Sequence, residues 1–211
     1  TDLAKDGPTV IELPPGMLGF MDDAWQRFVG NMGVVGPDKG KGGKYLVIPP
    51  GYKGEIPEGY FILKPPTHRN FIFLRGSIKD GLTVAADNFK QNLKVYPLKD
   101  KASPAPTELV NMSGRSFQTI FPNTLAYYEM LNSIVQGEPQ DAIDAEIRGE
   151  LAAIGIVNGK PFNPDARMTK LLTEAATLGN AAGRAITYAP RVPGVEIYPG
   201  SGMNWDMGYA N

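Results

Sequence analysis

The densest group of residues that could bind a ligand lies at 36–44 and has the sequence GPDKGKGGK. Its four glycines allow the backbone to turn N–H groups toward an anion, and its three lysines add positive charge. The spacing is not that of a nucleotide-binding P-loop, because three residues separate Gly36 from Gly40 and a glycine follows Lys41. The motif predicts a loop that binds an anionic group or a sugar, or else an exposed connection between strands.

His68 is the single histidine, and the chain has no cysteine. One imidazole cannot supply a His-x-His zinc site, and the lack of thiols excludes disulfides, thiolate metal sites and cysteine nucleophiles. No serine lies in the Gly-x-Ser-x-Gly frame of a nucleophile elbow. We therefore expect no metal and no cofactor, and we expect His68 to be a turn or surface residue rather than a general base.

Arg75 follows an apolar run at 71–74, where a cation needs a carboxylate or a carbonyl. We expect a structural ion pair there first and a ligand contact second. The acidic residues are scattered, with no Asp-x-Asp-x-Asp loop for calcium and no recognisable pair of glycosidase carboxylates. The aromatic residues of the N-terminal half are either core or, on an exposed sheet face, a surface for stacking sugars: Trp25, Tyr45, Tyr52, Tyr60, Phe71 and Phe73.

Composition limits the class of protein. The 211 residues are 42% apolar and 20% charged, which is enough for a buried core. A net charge of −1 lacks the basic field of proteins that bind nucleic acid, so no such partner is expected. No apolar run approaches the ~18 residues of a transmembrane helix, so no membrane-spanning segment is expected.

Residues 1–98 alternate short apolar runs with turns rich in glycine and proline. This pattern predicts an antiparallel β-sandwich or a jelly-roll-like barrel. The uninterrupted apolar runs at 45–48 and 71–74 predict strands covered on both faces. One short helix is predicted at 80–92, and the strands are predicted at 9–13, 24–29, 45–48, 60–63, 71–74 and 93–98.

The hydrophobic period changes beyond residue 100. Residues 99–121 have few apolar side chains and predict a linker, and 122–190 predict a three-helix region. The three helices are expected at 123–136, 139–156 and 163–187, and residues 191–211 have no period and predict an irregular tail. The fold class expected is therefore α+β.

Several motifs in order resemble a bacterial family called domain of unknown function 1254. They are GPDKGKGGKYLVIPPGYKG at 36–54, PEG at 57–59, PPT at 65–67 and LRG at 74–76. The helical part, with AAIGI at 152–156 and GKPF at 159–162, is similar to the segment that leads into a second domain of unknown function, 1214, in such proteins.

The resemblance implies a β-sandwich, jelly-roll-like build, a secretory leader, and a location in the periplasm or outside the cell. It implies no reaction, because the family has no agreed activity. Catalysis, if any, would fall to His68 and Arg75. The candidate ligand-binding residues are Asp38, Lys39, Lys41, Lys44, Tyr45 and Tyr52.

The chain starts at Thr1 rather than Met and ends without a closing element, which predicts a piece of a longer exported chain whose leader and C-terminal β domain are missing. In that case Trp205 and Tyr209 would pack against the missing domain or another subunit.

Three functional interpretations stay open. The first is a non-catalytic binding or assembly module for an envelope glycan, an anionic ligand or a partner chain. The second is a hydrolase or lyase acting on a polysaccharide or a small hydrophobic compound. The third is a purely structural role in a homo-oligomer.

Overall fold

The computed structural model describes residues 1–116, 120–188 and 200. These residues confirm the predicted α+β class, with strands first and helices after them. The strands are β1 (Thr9–Leu13), β2 (Met17–Asp22), β3 (Phe28–Gly33), β4 (Gly43–Val47), β5 (Phe61–Leu63), β6 (Phe71–Gly76) and β7 (Lys94–Pro97). The α-helices are α1 (Leu3–Asp6), α2 (Leu82–Asn92), α3 (Leu125–Gly137), α4 (Ala145–Ala153) and α5 (Ala166–Tyr188), with 3₁₀ turns at Leu98–Asp100 and Gln140–Ala142.

The strands form two open sheets among the described residues, and neither closes into a barrel. The first sheet has the order β5-β4-β1-β7 and the second has the order β3-β2-β6. All pairings are antiparallel except that of β4 with β5, which is parallel. Of the two predicted alternatives, the arrangement in two sheets is therefore the one observed.

The main hydrophobic cluster draws side chains from both sheets, because successive residues of a strand point to opposite faces. From the first sheet come Ile11, Leu13, Tyr45, Val47 and Leu63, and from the second come Met17, Met21 and Met32. The other face of the first sheet has its own buried cluster of Val10, Leu46, Ile48 and Tyr96. The run at 45–48 is thus covered on both faces, as predicted, since consecutive residues belong to different clusters.

Two predicted elements differ from the structure. The strand expected at 24–29 is not formed as one strand, because β2 ends at Asp22 and β3 begins at Phe28, so only residues 28 and 29 of that range lie in a strand. The helix expected at 139–156 begins only at Ala145, because Pro139 leads into a 3₁₀ turn and Ile143 has an extended backbone. The residue before a proline disfavours the helical conformation, which explains why α3 ends before Pro139.

The chain divides into two compact units. The first contains residues 1–115 together with 137–148, and the second contains 116–136 and the residues from 149 onward. Within the second unit, the Gln136 side chain accepts from the Gly159 N–H at 2.8 Å and donates to the Val157 carbonyl at 2.9 Å. Asp165 begins α5 by accepting a hydrogen bond from the Met168 N–H at 2.7 Å.

No described helix combines the length and the apolar content that a membrane crossing needs. The predicted irregular tail at 191–211, with its expected contacts at Trp205 and Tyr209, lies outside the described residues except for Gly200.

Candidate functional site

The glycine–lysine loop at 36–44 is built around the carboxylate of Asp38, which is 4% exposed. This carboxylate accepts hydrogen bonds from the Gly33 N–H at 2.7 Å, from the Gly42 N–H at 3.1 Å and from the Tyr45 hydroxyl. Backbone N–H groups of this region therefore do surround an anion, and the anion is a side chain of the loop itself. Asp38 and the fully buried Tyr45 hold the loop together.

The three lysines of the loop are all exposed, but they differ in their surroundings. Lys44 lies on β4, and its Nζ is 3.4 Å from Glu12 Oε1 on β1. Lys39 and Lys41 form no ion pair with any residue that the structure describes. The predicted role of these lysines in binding a glycan or an anionic group stays a prediction.

Glu12 is the centre of a polar row on the first sheet. Its carboxylate accepts a hydrogen bond from the Tyr96 hydroxyl at 2.6 Å, and Lys94 lies 3.6 Å away on the opposite side from Lys44. The hydrogen bond from Tyr96, with the charges of the two lysines, lowers the pKa of Glu12 against the opposing effect of burial. Lys44 therefore already has an anionic neighbour.

Tyr52 is 37% exposed, and its hydroxyl lies 3.5 Å from the Glu55 carbonyl.

His68 lies in a turn that ties distant segments together through its backbone. The His68 N–H donates to Glu138 Oε2 at 2.5 Å, and its carbonyl accepts from the Leu3 N–H at 2.8 Å. Next to it, the Arg69 N–H and Nε donate to Glu138 Oε1 at 3.1 and 3.0 Å. His68 Nδ1 is buried without a hydrogen-bond partner in the described part of the chain. These contacts agree with the interpretation of His68 as a turn residue.

The two candidate catalytic residues are not brought together. His68 precedes β6, whereas Arg75 lies near the end of that strand. The four residue steps from Phe71 to Arg75 alone span roughly 13 Å of extended chain. Among the residues described, no group of three His, Asp or Glu side chains lies close enough to hold a metal ion.

Arg75 belongs to an exposed surface that we call the aromatic face, formed by the side chains that project outward from the second sheet. The register places three rows across β3, β2 and β6. These rows are Gly33–Leu18–Arg75, Asn31–Phe20–Phe73 and Phe28–Asp22–Phe71. The exposed fractions are 63% for Phe28, 57% for Phe71 and 40% for Leu18. The prediction that the run at 71–74 is covered on both faces is therefore wrong.

Neighbouring rings of this face pack against one another. The centroids of Phe20 and Phe73 are 5.6 Å apart, and those of Phe71 and Phe73 are 6.3 Å apart. The Arg75 guanidinium lies 4.9 Å from the centroid of the Phe73 ring, a cation–π contact. The ion pair expected for Arg75 is not present among the described residues. The cation stays near the surface, where water can solvate it, so it does not need a carboxylate.

A depression of about 200 Å³ lies at the Arg75 end of the aromatic face. Phe20, Phe73 and Leu18 supply its apolar lining, and Asn31 and Arg75 are its polar groups. At the opposite end of the face, burial and the neighbouring Asp23 charge raise the pKa of Asp22. The aromatic face thus has an apolar centre and a charged group at each end.

The sequence analysis named Phe71, Phe73 and Arg75 as candidates, but it did not name Leu18, Phe20 or Phe28. The missed residues lie on β2 and β3, where glycines at 19, 30 and 33 interrupt the usual strand pattern. Glycine is required at 19 because a Cβ atom there would lie 2.3 Å from the Phe73 carbonyl oxygen. The alternation Leu18-Gly19-Phe20 is the signal that could have located this strand.

The fold is a two-sheet β module followed by helices. Residues 1–97 match the model of the family described as "Protein of unknown function (DUF1254)". The resemblance predicted from the motifs is therefore confirmed for that part of the chain. No curated protein matches the sequence.

Among solved structures, the chain is similar to the VPA0106 protein from Vibrio parahaemolyticus, with a TM-score of 0.59 and 15% identity. The alignment covers 87% of this chain and 47% of that protein, so the chain spans about half of its length. At this identity the likeness shows the fold alone. The similarity to the second domain of unknown function, 1214, stays a prediction.

Proposed function

We propose that this chain is a non-catalytic binding or assembly module that contacts another protein chain through the aromatic face. The observation that carries the proposal is the exposure of Phe28 and Phe71, each more than half open to solvent on the outer face of the second sheet. Large apolar side chains that are exposed together on one surface are typical of interaction sites. Burying them against a partner would contribute favourable free energy in proportion to the apolar area covered.

The composition of the face favours a protein over a sugar. Leu18 and the nearby Val35, which is 55% exposed, add aliphatic surface that cannot stack on a sugar ring. Phenylalanine and arginine are enriched at protein interfaces, while lysine, glutamate and aspartate are depleted there. The three rows of the aromatic face contain three phenylalanines on β2 and β6, a fourth on β3, and Arg75, with Asp22 as the one residue of a depleted type.

The position of the candidate catalytic groups supports a role other than catalysis. A general base must lie within hydrogen-bond reach of the reacting atom, together with the groups that stabilise it. His68 and Arg75 are separated by the length of β6, and the backbone of His68 is engaged with Leu3 and Glu138.

A photo-crosslinking experiment tests the proposal. Phe71 is replaced by benzoylphenylalanine in cells that produce the full chain, and Tyr52 is replaced in the same way as an exposed aromatic control away from the aromatic face. Irradiation is expected to give a discrete protein adduct from position 71 and none from position 52. No adduct at 71, or the same adducts at both positions, would contradict the proposal.

Periplasmic or extracellular location belongs to the same proposal. A binding or assembly role in the cell envelope is what the resemblance to the family predicts. Fractionation of cells that produce the protein is the measurement that addresses it.

A further inference from the structure

The aromatic face has one cation and one anion at opposite ends of its rows. Arg75 on β6 lies in the row at one end of the strands, beside Leu18, and Asp22 on the central strand β2 lies in the row at the other end, beside Phe71. Neither charge forms an ion pair with a residue in the part of the chain that the structure describes. Between them lies the middle row, in which the Phe20 and Phe73 rings pack at a tilted angle and Asn31 lies beside Phe20.

This arrangement is self-complementary under a two-fold rotation. Two copies can face each other with the outer faces of their second sheets in contact. The two-fold axis then lies between the two faces, perpendicular to the strands and level with the middle row. The strands of the two copies therefore run in opposite directions. The rotation keeps each strand over its own counterpart, so Arg75 of one copy comes over Phe71 of the other, and Asp22 lies one strand to the side, about 4.8 Å away and within reach of the long arginine side chain. Symmetry repeats the contact, so two ion pairs form at once around a centre of facing phenylalanines.

We propose that the partner of the aromatic face is a second copy of this chain, packed sheet to sheet in a two-fold dimer. The inference rests on the proposed function, since it names the occupant of the same face. Each Arg75 pairs with Asp22 of the other copy, and the Phe20 and Phe73 rings pack across the axis. Two sheets stacked in this way keep their strand directions within about 30°, as in other sheet-on-sheet packing.

The size of the face sets the strength of such a dimer. Three strands of six residues each cover roughly 15 by 20 Å. This is below the ~800 Å² per partner of a standard stable interface. The dimer is therefore expected to dissociate at micromolar concentrations, and its formation must be followed over a range of concentrations.

Sedimentation equilibrium of the full chain between about 1 and 200 µM tests the inference over the range expected for a small interface. The wild-type mass is expected to rise from 22.8 kDa toward twice that value as the concentration increases.

R75E and D22K each place like charges opposite one another and are expected to weaken the dimer about tenfold or more. The double variant R75E/D22K restores both ion pairs with reversed polarity and is expected to recover the wild-type dissociation constant. K101E, a charge reversal at an exposed lysine outside the three rows of the face, is expected to leave that constant unchanged.

Rescue by the double variant also shows that the single variants were not merely misfolded. A double variant that stays as weak as the single ones would overturn the inference, as would a wild-type chain that is monomeric throughout.

The crosslinking experiment separates the two proposals. An adduct at position 71 with a protein of different mass overturns the dimer and leaves the proposed function standing, whereas no adduct at 71 removes both.

Discussion

Three buried carboxylates organise the turns of the first unit at the scale of single residues. Asp23, Asp38 and Glu138 are each at most 4% exposed, and each accepts hydrogen bonds from two backbone N–H groups. A buried charge is costly unless it is paired and hydrogen-bonded, and these three satisfy the N–H donors of turns that have no regular structure of their own. Acidic residues in loops are usually solvated, so their residue type did not predict this role.

Tyr45→Phe tests the network around Asp38. The variant removes the hydroxyl that donates to the buried carboxylate, so we expect the free energy of unfolding at pH 7 to fall by about 1–3 kcal/mol. Urea unfolding measures this loss, and Tyr52→Phe, at an exposed side chain, is the matched control. An unchanged stability of the Tyr45 variant would show that the hydroxyl contributes nothing to the loop.

The same tyrosine predicts how stability depends on alkaline pH. Burial, together with the hydrogen bond and charge of Asp38, raises the pKa of Tyr45 above its ordinary value of 10. The unfolded chain then loses this proton near pH 10 while the folded chain keeps it, so rising pH favours unfolding. Stability is expected to decline above about pH 10, by up to ~1.4 kcal/mol per pH unit for this group. Tyr45→Phe should make the decline shallower in urea titrations between pH 9 and 11, and an equal decline in both proteins would exclude Tyr45 as its source.

At the scale of elements, the sequence predicted strands wherever the apolar run was continuous. β1, β4 and β6 were located within a few residues, as were α2, α3 and α5, because their hydrophobic periods are intact. β2 and β3 were missed because their glycines serve close approaches between strands, which a count of apolar residues does not register. The exposed side of β6 was missed for a related reason. A run of apolar residues does not show whether the outer face of the strand is covered by a core or exposed to solvent.

Residues 137–148 contact the strands of the first unit through the Glu138 carboxylate and the Ala142 carbonyl, and Glu138→Ala tests the first of these connections. The change removes the acceptor of the His68 and Arg69 N–H groups. Leaving such buried groups without an acceptor is expected to cost about 2–4 kcal/mol. Hydrogen exchange should rise at residues 68 and 69 and over 137–148, while β1 and β4 keep their protection. Loss of protection in the whole first unit at low denaturant would show that the connection is not local.

At the scale of the whole molecule, the boundary of the family match and that of the compact unit differ. The family model ends at residue 97, whereas the first unit also includes 137–148. The boundary predicted at 98 followed the change of hydrophobic period, which marks where strands give way to helices. The change of hydrophobic period does not show that residues 137–148 contact the strands again. That contact depends on the Glu138 carboxylate and on the Ala142 carbonyl, which accepts a hydrogen bond from Arg27.

Truncated chains test whether residues 137–148 stabilise the strands of the first unit. A chain of residues 1–148 contains every segment of the first unit, whereas a chain of residues 1–115 lacks the acceptors at 138 and 142. We expect the shorter chain to unfold with a free energy about 2–4 kcal/mol lower, measured by urea titration followed by circular dichroism. Glu138→Ala in the 1–148 chain should lose most of the same free energy, since this carboxylate supplies most of the hydrogen bonds that the truncation removes. If 1–115 and 1–148 were equally stable, the segment would contribute nothing, and the strand-rich part would be complete where the hydrophobic period changes.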